Sequence, residues 1–189
     1  MLLAGGCSKP GIYDLGLIID GSGSVGNSGF VQTKLFLLRL IDQFHISFQT
    51  THFGIIVYSD RANLICRFSD QNYYGSKMLL KWTILGLEFP DGDTRTDRAL
   101  RMAGRNLYSN IGGDRDGVPN VLVVITDGIT AHGSEPYKDV LKPLQVQSTR
   151  EGIVKCHGKS RNISAGVLLR EVLACYRQKC QQTSLYRKR

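Results

Sequence analysis

Two short apolar runs, each ending in an aspartate, constrain this chain more than any other feature: Tyr13 to Asp20 (YDLGLIID) and Val118 to Asp127 (VPNVLVVITD). Such runs, bounded by turn formers and lacking polar alternation, read as strands buried on both faces, the mark of a parallel sheet. Parallel neighbours need crossovers, and the intervening segment holds helical candidates. Phe30, Leu35, Leu37, Leu38, Ile41 and Phe44 recur every three to four residues over about 28–46. That spacing predicts an amphipathic helix, with Ser28 as its expected N-cap. His52 to Tyr58 and Ala62 to Phe68 read as two strands separated only by Ser59-Asp60-Arg61. Three residues cannot make a parallel crossover, so this pair is an antiparallel hairpin. Ser76 to Leu87 is expected as a helix with Met78, Leu79, Trp82 and Leu85 inward. Asp97 to Tyr108 is expected as another, burying Ala99, Leu100, Ala103 and Leu107, with Asp93 or Asp97 complementing its N-terminus. The order βα, hairpin, α, α, β indicates an α/β layered domain with one antiparallel edge strand.

Charge divides the chain. The net charge of +8 on 189 residues suggests an anion binder at first sight. Residues 1–147 are neutral, with 14 basic and 14 acidic side chains, and residues 148–189 carry 10 basic and 2 acidic ones. The expected organisation is a flank over 1–12, a domain core over 13–147 and a basic segment over 148–189. A 42% hydrophobic content excludes a disordered chain, and no apolar run approaches the length of a membrane span. Met1 to Cys7 has no basic n-region and is too short for a signal peptide. Cys7, Cys66, Cys156, Cys175 and Cys180 contain no CxxC pair, which disfavours zinc and redox motifs. Four lie near the two ends, compatible with disulfides, whereas Cys66 sits in an apolar run as a small core residue.

Three motifs carry the chemistry. Asp20-Gly21-Ser22-Gly23-Ser24 follows the first buried strand, Gly92-Asp93-Thr94-Arg95-Thr96 precedes a helix, and Thr126-Asp127-Gly128 ends the second buried strand. In an open α/β sheet ligands bind at the carboxyl ends of strands, where two of these motifs fall. Their groups are hydroxyls and carboxylates, hard oxygen ligands that select Mg²⁺, Mn²⁺ or Ca²⁺. In order and spacing the three motifs resemble the metal-ion-dependent adhesion site of von Willebrand factor type A domains. The resemblance covers roughly Tyr13 to Pro143. It implies a Rossmann-like, doubly wound α/β fold with a mostly parallel central sheet, one antiparallel edge strand and helices on both faces. It also implies that Ser22 and Ser24 bind a metal directly through their hydroxyls, and that Thr94 does so in the ligand-engaged state. Asp20 and Asp127 then act mostly through bound water. The implied cofactor is Mg²⁺, with Mn²⁺ or Ca²⁺ as substitutes.

Other readings of the same residues are weaker. Gly21 to Gly26 spells G-x-G-x-x-G, a dinucleotide fingerprint. Asp20 and Asp127 would repel a pyrophosphate there, and no strand-ending acid follows about 20 residues on to take a ribose hydroxyl. Gly152 to Ser160 misses P-loop spacing by one residue, and neither Ser22 nor Ser24 lies in a G-x-S-x-G elbow. His45, His52, His132 and His157 show no paired ligand spacing, and His132 reads as a solvated loop residue. Asn162-Ile163-Ser164 makes Asn162 a candidate glycosylation acceptor.

The resemblance weakens after Asp127. Pro136 to Val146 and Ile163 to Tyr176 are acceptable helices, but Lys155, His157 and Lys159 fall where a fifth strand should be apolar. The polar, basic stretch from Gln181 to Arg189 offers no sixth strand, so the C-terminal strands are divergent or missing. The expected function is a non-enzymatic, metal-dependent adhesion module, extracellular or secreted. It would engage an Asp or Glu of a protein ligand such as a matrix protein, collagen or receptor. No nucleic-acid partner is expected. The rivals are a nucleotide-binding enzyme using the glycine loop and an anionic-surface or nucleic-acid binder using the basic segment.

Overall fold

The computed structural model describes residues 11–127 and 130–142. Its elements run β1 (Asp14–Asp20), α1 (Gly26–Asp42), β2 (His52–Tyr58), β3 (Ala62–Cys66), α2 (Gln71–Gly75), α3 (Lys77–Leu85), α4 (Thr96–Asn106), β4 (Asn120–Ile125) and α5 (Tyr137–Val140). The sheet order is β3-β2-β1-β4. β1 pairs in parallel with both β2 and β4, and β3 runs antiparallel on β2. β1 and β2 are buried at every position, as continuous apolar runs require.

Alternate side chains of each strand feed two apolar layers. Leu15, Leu17 and Ile19 pack with Phe30, Leu37 and Ile41 of α1 and Leu80 and Ile84 of α3. Ile18, Ile56 and Val124 pack with Ala99, Leu100, Ala103 and Leu107 on the α4 side. The chain leaves β1 to one side through α1 and returns to its other side through α4. The strand order therefore reverses beside β1, which places a crevice at the carboxyl ends of β1 and β4.

The layered architecture, the hairpin and the buried face of α4 match expectation, and several details do not. Helix α1 starts at Gly26 with Val25 at its cap position, so Ser28 lies inside the first turn instead of capping it. The backbone is already turning there, because Val25 N–H donates to Ser22 O at 3.1 Å. Leu35 faces solvent while Phe36 and Leu40 are buried. The apolar run Leu35-Phe36-Leu37-Leu38 left the angle of the stripe undetermined. β3 ends at Cys66, not Phe68, where Asp70 Oδ2 accepts Arg67 N–H at 2.7 Å and starts a turn.

Helix α3 is rotated relative to expectation. Leu80 and Ile84 are buried, whereas Met78 (63% exposed), Leu79, Trp82 (64%) and Leu85 face outward. Its sequence, KMLLKWTIL, is apolar around most of its circumference, so polar anchors decide which face docks. Lys34 Nζ on α1 donates to Leu85 O and Leu87 O, each at 2.9 Å, and Lys81 pairs with Asp42. α5 begins within the helix expected over 136–146, whose later residues lie outside the described set. So do the segment 148–189, its expected strand and helix, Asn162, His157, and every cysteine except Cys66. Cys66 is a core residue, and burial pushes its thiol pKa up to about 12.

Candidate metal centre

The site is assembled at the carboxyl end of β1. Asp20 closes that strand and is 2% exposed. Its Oδ1 accepts Ser22 N–H at 2.9 Å, which folds the following loop back over the strand end. Ser22 is buried, and its Oγ lies 3.1 Å from Ser24 Oγ. The intervening glycine lets both hydroxyls face one point, as the D-x-S-x-S pattern suggested.

The second motif joins the first through backbone. Gly23 N–H donates to Gly92 O at 2.8 Å, which ties the loop after β1 to the loop before α4. Gly92 has φ +100°, and a Cβ there would sit 2.5 Å from Asp60 Oδ2, so the loop requires glycine. Thr94 is buried beside this junction. Its carbonyl accepts Ala131 N–H at 2.9 Å, bringing in the loop after β4. Arg95 N–H donates to Ser59 O at 3.1 Å, anchoring the motif on the turn between β2 and β3.

The third motif arrives by register. Ile19 pairs with Ile125, so Thr126 stands next to Asp20. Thr126 Oγ1 donates to Asp20 Oδ2 at 2.7 Å. Asp127 follows; its Oδ1 is buried and has no hydrogen-bond partner among the described residues. Gly128 lies outside the described residues.

Sequence reasoning missed two residues. Tyr58 ends β2 directly opposite Asp20 in the parallel register. Its hydroxyl donates to Asp20 Oδ2 at 3.0 Å and lies 2.9 Å from Thr96 Oγ1. Burial, then the Asp20 charge, push its pKa far above the usual phenol value, so it stays protonated. A polar-tipped aromatic closing an apolar strand at the same end as Asp20 was the available signal. Asp97 was expected only to complement a helix terminus. It is buried in the first turn of α4 and accepts Arg95 Nε at 3.0 Å, Arg95 NH2 at 2.7 Å and Glu135 N–H at 3.1 Å. The Arg95 hydrogen bonds hold its pKa down at about 2. Asp93 instead uses its backbone N–H, donated to Asp60 Oδ1 at 3.0 Å.

The donor set suits a hard cation. An unpartnered buried carboxylate oxygen is costly unless a cation or a water bound to one faces it. Two adjacent hydroxyls add neutral oxygen ligands. Among the described residues, no group of three His, Cys, Asp or Glu side chains is placed to hold a metal. The described histidines serve other ends: His45 Nδ1 meets Thr50 Oγ1 at 3.2 Å, His52 stacks on Tyr74 at 4.3 Å, and His132 is exposed. The glycine loop is poorly disposed to a phosphate, because Ser22 N–H already serves the Asp20 carboxylate.

Comparison with known proteins gives the chain's family and fold. The chain is 32% identical over 130 residues to Cuticlin-6 of Caenorhabditis elegans, covering 69% of this chain and 21% of that protein. It is 30% identical over 142 residues to Integrin alpha-M of Mus musculus, covering 75% of this chain and 12% of the relative. The chain thus spans about a fifth or less of these relatives' length. The fold matches proximal thread matrix protein 1 from the mussel byssus, solved with a zinc-occupied MIDAS motif, with a TM-score of 0.64 and 16% identity over 78% of this chain and 37% of that one. Residues 14–160 match the model of the von Willebrand factor type A domain. A buried aspartate, two converging hydroxyls and three backbone-linked loops at a strand-order reversal are thus set in a chain that belongs to the von Willebrand factor type A domain family.

Proposed function

We propose that this domain binds a divalent cation, Mg²⁺ in the first instance, and through it an acidic side chain of a protein ligand. Ser22 and Ser24 hold the ion through their hydroxyls, and Thr94 joins them when ligand engages. Asp20 and Asp127 act mostly through bound water. The observation that carries this reading is the buried Asp127 Oδ1, unpartnered among the described residues at the end of β4, together with the Ser22–Ser24 hydroxyl pair that follows the adjacent strand β1. The 3.1 Å between those hydroxyls suits neighbouring corners of an octahedron, about 3 Å apart for Mg–O bonds of about 2.1 Å. When bound, the ion supplies a Lewis-acidic position for a carboxylate oxygen. Neutral hydroxyls leave its charge unquenched, and the protein's own groups orient the shell, close it with backbone hydrogen bonds and hold the Asp20 carboxyl in place with three donors.

The likeness to a cuticlin and an integrin supports an extracellular setting in matrix or adhesion, with binding and no catalysis as the task. Candidate partners are matrix proteins, a collagen or a receptor. Titration of Mg²⁺ or Mn²⁺ into wild type, Asp20→Ala and Ser22→Ala, followed by thermal shift and heteronuclear NMR, tests the reading. At one hundred times Kd, bound metal should stabilise wild type by about 2.7 kcal/mol and leave the variants unmoved. Identical metal responses in all three proteins would refute it.

A further inference from the structure

We propose that Tyr58 is a positioning residue of the cation site: its phenol aims the Asp20 carboxylate and couples it to the Thr94 loop through Thr96. This rests on the cation reading above. A carboxylate has four lone-pair positions. Oδ2 takes two hydroxyl donors, Tyr58 at 3.0 Å and Thr126 at 2.7 Å. Oδ1 takes one backbone N–H, from Ser22. Among the described residues one lone pair of Oδ1 then remains, on the oxygen already turned toward the loop that presents Ser22 and Ser24. The two hydroxyl donors fix which oxygen faces that loop.

The direction of the relay follows from proton counting. A carboxylate only accepts, so the single phenolic proton goes to Asp20. At 2.9 Å, Thr96 Oγ1 must therefore donate to Tyr58. Tyr58, Asp20 and Thr96 are all buried, so water does not compete for these bonds. Thr96 opens α4 two residues after Thr94, and Thr126 immediately precedes Asp127. A phenol on β2, outside all three motifs, thus connects the first motif with the second and shares its acceptor with the third. A shift of the α4 terminus that follows the Thr94 loop is felt at Asp20 through two hydrogen bonds.

The test uses the full chain and Mn²⁺ as probe, with affinity read by electron paramagnetic resonance and calorimetry and the metal-free melting midpoint as control. Tyr58→Phe keeps the ring and removes the phenol; Thr96→Val keeps the shape and removes the donor. Loss of a partner that orients a direct metal ligand weakens affinity by about 10- to 100-fold; Tyr58 orients a carboxylate that reaches the ion through water, so Tyr58→Phe is expected at the lower end, about 10-fold. Thr96→Val should weaken Mn²⁺ binding in the same direction, and the double variant should bind no worse than Tyr58→Phe. A purely structural tyrosine would lower the metal-free midpoint without moving Mn²⁺ affinity in the folded protein, and that result overturns the proposal. If Tyr58→Phe does not fold, Thr96→Val decides: wild-type affinity refutes the relay, and weakened affinity supports it. Wild type failing to bind Mn²⁺ would instead sink the cation reading itself, and the Tyr58 role with it.

Discussion

Gly16→Ala should be among the most damaging single-methyl additions in the domain. Gly16 lies in mid-β1, and its N–H donates to Tyr108 Oη at 3.0 Å, while the same hydroxyl donates to Val121 O of β4 at 2.6 Å. The phenol thus bridges the two strands whose ends carry Asp20 and Asp127. A Cβ on residue 16 would stand 2.5 Å from that oxygen, 3.1 Å from Cζ and 3.2 Å from Leu122 Cδ1. Tyr108 is buried against Phe68, so its ring cannot swing out to solvent. Displacing it gives up two hydrogen bonds at about 1 kcal/mol each and adds overpacking strain of about 1–3 kcal/mol. Removing glycine's unfolded-state entropy returns up to about 1 kcal/mol, leaving a net loss of about 2–5 kcal/mol. Tyr108→Phe alone should cost about 1–3 kcal/mol by stranding those backbone groups. In the double variant the clashing oxygen is absent, and the remaining contacts yield by tenths of an ångström. Urea denaturation followed by circular dichroism would measure all four corners of the cycle, and the double variant should be at least about 1 kcal/mol more stable than the sum of singles. Additivity within about 0.5 kcal/mol would refute the steric argument.

Three further outcomes follow from the packing and charges. Ile84→Ala should cost about 2–4 kcal/mol and Trp82→Ala about 0.5 kcal/mol or less, reversing the order that side-chain size suggests; chemical denaturation distinguishes them. Burial, then the charge of Arg115, hold the His52 pKa below 6.5, so the folded state binds fewer protons there than the unfolded chain. Its contribution is present above about pH 6.5 and is lost as pH falls toward the folded pKa; His52→Gln should flatten that part of a stability-against-pH curve. For Asp97, the contribution is present above about pH 3.8 and lost as pH falls toward about 2, because the folded pKa is depressed. Asp97→Asn should therefore cost about 1–3 kcal/mol at neutral pH, and an acid-unfolding limb shared with wild type would contradict it.

Much of this molecule was legible along the chain, because its information is local. Buried strands are written as apolar runs, a three-residue link forbids a parallel crossover, and D-G-S-G-S states its turn and its hydroxyls together. The fold class, the antiparallel edge strand and the grouping of Asp20, Ser22 and Ser24 needed no coordinates. Tertiary structure decided what depends on partners far away in sequence. KMLLKWTIL is apolar around most of its circumference, and contacts with distant residues, Lys34 and Asp42 of α1 among them, accompany the docking that buries Ile84 and leaves Trp82 outside. Asp20 meets Tyr58 across 38 residues and Thr126 across 106, and strand register alone sets them side by side. The sequence by itself determined which chemical groups stand at the strand ends; the tertiary structure decided which hydrogen bonds orient them, because a hydrogen bond is set by distance and angle in space and not by separation along the chain.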